Sequence, residues 1–238
     1  MLDIIVCQDI ESLSKKASEH FLKIHKASVN SERFYIMPGG STPKLFYKFI
    51  AKKVGNWDNT KIILSDERMV PENNSNSNFL MVNNELINKI NKRSKPSLIN
   101  YFINDLDNNS IISYLENYII GYKNPNLAIL GFGDDGHTAS LFPDSPSLFN
   151  YKNEKFIECN NDNEPFFRIS LTFNILMSAN QIMFLISGKK KAFSLKMCLE
   201  GNYNPIKYPA QYLFRNYKND LRVFCDKNAA SELGDIID

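Results

Sequence analysis

Gln181-Ile182-Met183-Phe184-Leu185-Ile186-Ser187-Gly188-Lys189-Lys190-Lys191 is the stretch that decides the fold class. Five apolar residues run together without alternation, far short of the ~20 needed to cross a bilayer. Such a run reads as a strand covered on both faces, the hallmark of a parallel sheet flanked by helices. Gly188 closes it, and Lys189–Leu199 follows as a helix.

The same strand-then-helix rhythm extends in both directions. Strands are predicted at Asp3–Val6, Arg33–Met37, Lys61–Ser65, Leu98–Phe102, Asn126–Leu130, Lys155–Cys159, Arg168–Thr172 and Leu221–Cys225. Helices are predicted at Ile10–Lys26, Pro43–Val54, Asn78–Ile90, Ser110–Tyr122 and Phe173–Ala179. Leu13, Ala17, Phe21 and Ile24 lie on one face of the first helix. The expectation is an α/β fold, a mostly parallel, doubly wound sheet with helices on both faces. There is no internal repeat or long linker; Pro143 to Asn153 is the loosest stretch, so residues 1–238 read as a single domain.

Composition narrows the function. Of 238 residues, 43% are hydrophobic and 23% charged, ordinary globular usage. The net charge is +2, and Lys189-Lys190-Lys191 is the one dense basic cluster, so no nucleic-acid partner is expected. Met1 to Ile10 has neither the basic region nor the apolar core of a signal peptide. Cys7, Cys159, Cys198 and Cys225 show no metal-ligand spacing and read as buried apolar residues, which fits a cytoplasmic location. The asparagine-rich stretches Glu72 to Asn78 and Asn104 to Asn109 read as solvated turns.

Open α/β sheets bind ligands at the carboxyl ends of their strands, and three loops there carry chemistry. Pro38-Gly39-Gly40-Ser41-Thr42-Pro43 leads from a strand into a helix. Its glycines let the backbone approach a ligand, Ser41 and Thr42 add hydroxyls, and the helix start offers unpaired N–H groups, together a phosphate cradle. The plainer reading is a strand–turn–helix connection with Thr42 as N-cap and Pro43 at the first helical position. Asp66-Glu67-Arg68 follows the next strand: Arg68 suits phosphate oxygens, Asp66 a sugar hydroxyl or a neighbour's proton, or the two form a surface ion pair.

The third loop is Gly131-Phe132-Gly133-Asp134-Asp135-Gly136-His137-Thr138-Ala139-Ser140-Leu141-Phe142-Pro143. Its glycines satisfy G-x-G-x-x-G, but Asp134 and Asp135 would repel a pyrophosphate and Pro143 cuts off the helix a dinucleotide site requires. The loop instead presents His137, an imidazole suited to general acid–base work, with Asp135 placed to hold its tautomer. His20 and His25, on the first helix, read as solvated. Arg168 and one lysine of Lys189-Lys190-Lys191 could add cationic contacts to the same crevice.

Together Gly39-Gly40-Ser41-Thr42-Pro43, Asp66-Glu67-Arg68 and Asp135-Gly136-His137-Thr138-Ala139-Ser140-Leu141-Phe142-Pro143 resemble the 6-phosphogluconolactonase family. Arg168-Ile-Ser-Leu-Thr172, Gly188-Lys-Lys-Lys191-Ala192 and Asp226-Lys-Asn-Ala-Ala230 match more weakly. The resemblance implies the fold shared with sugar-phosphate isomerases and deaminases, and hydrolysis of 6-phosphoglucono-δ-lactone to 6-phosphogluconate in the pentose phosphate pathway. It puts Ser41, Thr42, Arg68 and Lys191 at the substrate phosphate or its neighbouring oxygens, Arg168 at a substrate contact and His137 at the general base. Asp144 departs from the family, where glycine is the more usual residue.

A lactone is already an activated ester, so neither metal, cofactor nor covalent nucleophile is required, and no Gly-x-Ser-x-Gly elbow is present. The partner expected is a small sugar phosphate; oligomeric state is not legible. Two alternatives stand beside this one. A glucosamine-6-phosphate deaminase resembles Asp-Gly-His with a following Phe-Asn-Glu, where this chain has Ser140-Leu141-Phe142 and no carboxylate. A non-catalytic sugar-phosphate-binding protein would usually carry an added DNA-binding domain, for which the chain length leaves no room.

Overall fold

The computed structural model describes residues 2–28, 31–91, 93–160 and 165–234. In chain order the elements are β1 (Leu2–Cys7), α1 (Ile10–Ala27), β2 (Arg33–Met37), α2 (Pro43–Lys53), β3 (Thr60–Leu64), β4 (Asp66–Arg68), α3 (Asn78–Glu85), β5 (Ser97–Leu98), α4 (Asn108–Ile119), β6 (Leu127–Leu130), β7 (Phe156–Cys159), β8 (Arg168–Leu171), α5 (Phe173–Ser178), β9 (Gln181–Ile186), α6 (Ala192–Leu199), α7 (Ala210–Asn216) and β10 (Asp220–Asp226).

Seven strands make one sheet in the order β1-β10-β9-β6-β2-β3-β5, with every neighbouring pair parallel. From β2 the chain winds outward through β3 to β5, then returns to β6 on the other side of β2 and winds outward again through β9 to β10. The winding direction reverses between β2 and β6, and the crevice beyond their carboxyl ends is where such sheets take ligands. Ile182 to Ile186 of β9 are wholly buried, as an unbroken apolar row requires.

Three strands leave that sheet. β4, β8 and β7 form a separate antiparallel sheet, so the segments Lys155–Cys159 and Arg168–Thr172 do not extend the parallel one. Ser65 is the pivot: its N–H donates to Met37 O of β2 at 2.9 Å, while its carbonyl accepts Leu171 N–H of β8 at 2.9 Å. One residue thus hands the chain from one sheet to the other.

Other departures have local causes. The strand expected at Leu98–Phe102 shrinks to Ser97–Leu98, because the Asn100 side chain accepts the Phe102 N–H at 3.1 Å. Asn78–Ile90 ends as α-helix at Glu85 and tightens into a 3₁₀ turn at Ile87–Lys89, and Lys189–Lys191 is likewise a 3₁₀ turn before α6. Helix α7 had no expectation, being short and set among prolines and asparagines. His25 is not solvated but buried, its ring against Phe21, Tyr35 and Trp57. All four cysteines are buried and free. No helix of the described residues is long and apolar enough to cross a membrane.

Candidate active site

A cleft of about 670 Å³ opens at the β2/β6 switch point. Every residue singled out from the sequence lines it: Gly39, Gly40, Ser41, Thr42, Asp66, Arg68, Asp135, His137, Arg168 and Lys191. An adjoining hollow of about 750 Å³ shares Asp135 but is walled by Asp144 and Glu158, with no cation among the described residues that line it.

The turn after β2 is built differently from its expectation. Gly39 is glycine because a Cβ there would lie 1.9 Å from Asn78 Oδ1; the Asn78 side chain occupies that space. Gly40 needs its freedom for conformation, at φ +85 over open space. Thr42 does not cap α2 with its side chain, since its own backbone is already helical (φ −58, ψ −44). Its hydroxyl instead accepts from Lys191 Nζ at 3.5 Å. That contact separates the three lysines: Lys189 and Lys190 are exposed, while Lys191 is half-buried and faces the cleft. Burial lowers the Lys191 pKa, opposed by the charges of Asp134 and Asp226. Asp226 also accepts the Gly188 N–H at 3.1 Å, fixing the turn that delivers Lys191.

Arg68 and Arg168 both come from the small sheet. Arg68 Nη1 donates to Asn76 O at 2.7 Å. Its Nε is buried with no hydrogen-bond partner among the described residues, a donor left for something else. Arg168 is buried 4.0 Å from Asp66 Oδ2 and 3.4 Å from Ser140 Oγ. Asp66 is therefore no surface ion pair: it is buried, and it accepts hydroxyl hydrogen bonds from Ser65 (2.8 Å) and Ser140 (2.7 Å). Much of its capacity is committed to bracing Arg168 and the loop after β6.

That loop is tied to itself. Thr138 Oγ1 donates to Gly131 O at 2.9 Å, and Gly133 N–H donates to His137 O at 2.9 Å. Asp135 Oδ1 accepts both the His137 backbone N–H (3.0 Å) and its ring Nδ1 (2.6 Å). Burial raises the Asp135 pKa, but the hydrogen bond and charge of His137 outweigh it and leave it lowered. With Nδ1–H donated to a carboxylate, the ring's lone pair is on Nε2. The imidazole packs 4.7 Å from the Phe142 ring, which also lies 5.2 Å from the Arg168 guanidinium carbon.

The cleft walls also include Asn78, Asp134, Phe132 and Ala139, which the sequence did not single out as site residues. Asn78 was hidden in an asparagine-rich stretch. No group of His, Cys, Asp and Glu among the described residues is arranged to hold a metal. Chemically, the arrangement offers one oriented base facing a pocket with three cations.

A family model described as glucosamine-6-phosphate isomerases/6-phosphogluconolactonase matches residues 8–223. A 6-phosphogluconolactonase of Helicobacter pylori strain J99 is 28% identical over 224 residues, covering 93% of this chain and 96% of its own. The solved structure of a 6-phosphogluconolactonase from Thermotoga maritima has a TM-score of 0.79 at 26% identity, covering 95% of this chain and 100% of that one. A monomeric glucosamine-6-phosphate deaminase shares the fold with a TM-score of 0.81 at 22% identity, covering 97% and 99%. Architecture alone thus does not choose between the two chemistries; the residues of the cleft must.

Proposed function

The chain belongs to the family of glucosamine-6-phosphate isomerases and 6-phosphogluconolactonases, and from that premise we propose that it hydrolyses 6-phosphoglucono-δ-lactone to 6-phosphogluconate. The carrying observation is that the Asp135–His137 pair opens into the same cleft as Arg68, Lys191 and the Gly39–Thr42 turn. On this reading one sugar phosphate engages both.

Arg68, Lys191 and the hydroxyls of Ser41 and Thr42 hold the phosphate, and Arg168 contacts the sugar side. Binding at this remote group orients the ring over His137. Nε2 of His137 removes a proton from water as the water oxygen attacks the lactone carbonyl. The bond from that carbon to the ring oxygen then breaks, and the imidazolium returns its proton to the departing oxygen. Asp135 keeps Nδ1 protonated throughout and stabilises the transient cation. After His137 the loop reads Thr138-Ala139-Ser140-Leu141-Phe142, so the carboxylate of the deaminases is missing from it. Lactone opening does not need one. The cleft draws residues from Pro38 to Lys191, which supports reading 1–238 as one catalytic domain, and four buried free thiols fit a reducing cytosol.

The test is an assay on freshly generated 6-phosphogluconolactone, corrected for spontaneous opening. Acceleration supports the proposal. Ammonia released from glucosamine 6-phosphate would move the chain to the deaminases, and phosphosugar binding without turnover would make it a sensor.

A further inference from the structure

Glu67 stands between two cleft residues, fully buried and enclosed by donors on every side. Its Oε1 accepts the backbone N–H groups of Arg68 and Asn78, each at 2.7 Å. Its Oε2 accepts the Phe79 N–H at 2.6 Å and the Ser77 hydroxyl at 3.0 Å. Asn78 and Phe79 begin α3, whose unpaired N–H groups and dipole favour an anion there. Burial still pushes the carboxyl up to about 7 against those four donors. A helix this short is capped well enough by Ser77, whose hydroxyl accepts the Leu80 N–H at 3.1 Å. A buried carboxylate is a costly way to add a second cap, unless it ties together parts that must not move.

The parts it ties are both walls of the cleft. Through one oxygen it grips the main chain of Arg68 on β4 and of Asn78 on α3. The Arg68 guanidinium rests on the carbonyl of Asn76, two residues before Asn78. The Asn78 carboxamide donates to Asp66 O at 2.9 Å and fills the space that Gly39 leaves open. We propose that Glu67 is a positioning residue for phosphate recognition: its carboxylate locks β4 to the first turn of α3 and so aims Arg68 and seats Asn78 against the glycine turn. This rests on the reading of Arg68 as a phosphate contact.

Glu67→Gln keeps the shape but turns an amide donor against donors. Its dissociation constant for 6-phosphogluconate is expected to rise by about tenfold to a hundredfold, while kcat at saturating lactone changes by less than about threefold. The decisive measurement is a double-mutant cycle with Arg68→Ala, with thermal unfolding recorded for each variant. If Glu67 works through Arg68, the two losses fall well short of adding. Additive losses, or an unchanged dissociation constant in Glu67→Gln, overturn the assignment. An unchanged constant in Arg68→Ala would instead sink the phosphate-contact reading on which it rests. Should Glu67→Gln fail to fold, Ser77→Ala removes one of the four donors and takes its place in the cycle, judged by the same non-additivity.

Discussion

Arg68 and Arg168 lie directly opposite one another in the antiparallel pairing of β4 with β8. Like charges in that position repel, and Asp66, 4.0 Å from Arg168, offsets one of them. Arg68 pairs with no carboxylate among the described residues, and its buried Nε has no hydrogen-bond partner there, so its charge is available to a phosphate. Arg68→Met loses the bond to Asn76 O and should lower the melting temperature of the free protein slightly, while removing most of the stabilisation that 6-phosphogluconate gives the parent. Thermal shift with and without 6-phosphogluconate reads both; equal ligand stabilisation in parent and variant would return Arg68 to a structural role.

The base is tested by separating turnover from affinity. His137→Ala should lose about 10²- to 10⁴-fold in kcat and bind 6-phosphogluconate nearly as the parent does, since the cations are untouched. Asp135→Asn leaves the ring in place but lets Nδ1 accept rather than donate, so turnover should fall with KM little changed. Lactone hydrolysis in His137→Ala at the parental rate would remove the imidazole from the mechanism.

Gly133 offers a sharper geometric test. A Cβ there would sit 2.1 Å from His137 Nδ1 and 2.8 Å from Asp135 Oδ1. Gly133→Ala forces the His137 ring out of its present position, so kcat should drop while affinity for 6-phosphogluconate holds. The loop is partly open to solvent, and the melting temperature should move by only a few degrees. A variant with parental kcat would mean that the present placement of the His137 ring is not needed for turnover.

The cores of β2, β6 and β9 and the loops after them were legible because apolar runs and glycine-rich turns are local signals. The small sheet was legible only in part: strands were expected at Lys155–Cys159 and Arg168–Thr172, but Asp66-Glu67-Arg68 has no apolar pattern at all and is a strand only because β8 pairs with it. The same holds for its site role. Arg68 was readable as a cation at a strand end, but Glu67 is intelligible only once α3 brings Ser77, Asn78 and Phe79 to it. Among the three lysines only the resemblance favoured Lys191; the 3₁₀ turn that points it at Thr42 was not legible. His25 was misjudged because its helix face is decided by what lies beyond it, namely Arg33, Tyr35 and Trp57.

That buried histidine predicts acid sensitivity unrelated to catalysis. Burial holds His25 down to about 4, with the nearby Arg33 cation adding to the effect and the Asn56 carbonyl opposing it. Tyr35 OH, 3.2 Å from Nδ1, is the other titratable group against the ring. The unfolded chain takes up this proton near pH 6.5 and the folded one does not. Stability from the neutral ring is thus complete above pH 6.5 and is lost as pH falls toward 4, by at most about 3 kcal/mol. His25→Gln should flatten the melting temperature between pH 6.5 and 4.5 relative to the parent; parallel curves would show that other groups set the acid limb.

Asp144, the position where the resemblance leads one to expect glycine, has φ +54. A side chain in this left-handed region costs backbone energy that glycine avoids, though aspartate tolerates it better than most. The conformation is held by the Asp144 N–H, which donates to Ile206 O at 3.0 Å, a bond that glycine would keep. Asp144→Gly should therefore stabilise the chain by up to about 1 kcal/mol, or roughly 2–4 °C in melting temperature. Activity should hold, because Asp144 lines the neighbouring hollow rather than the cleft. A fall in melting temperature would mean that the Asp144 side chain, not the backbone, is what that turn depends on.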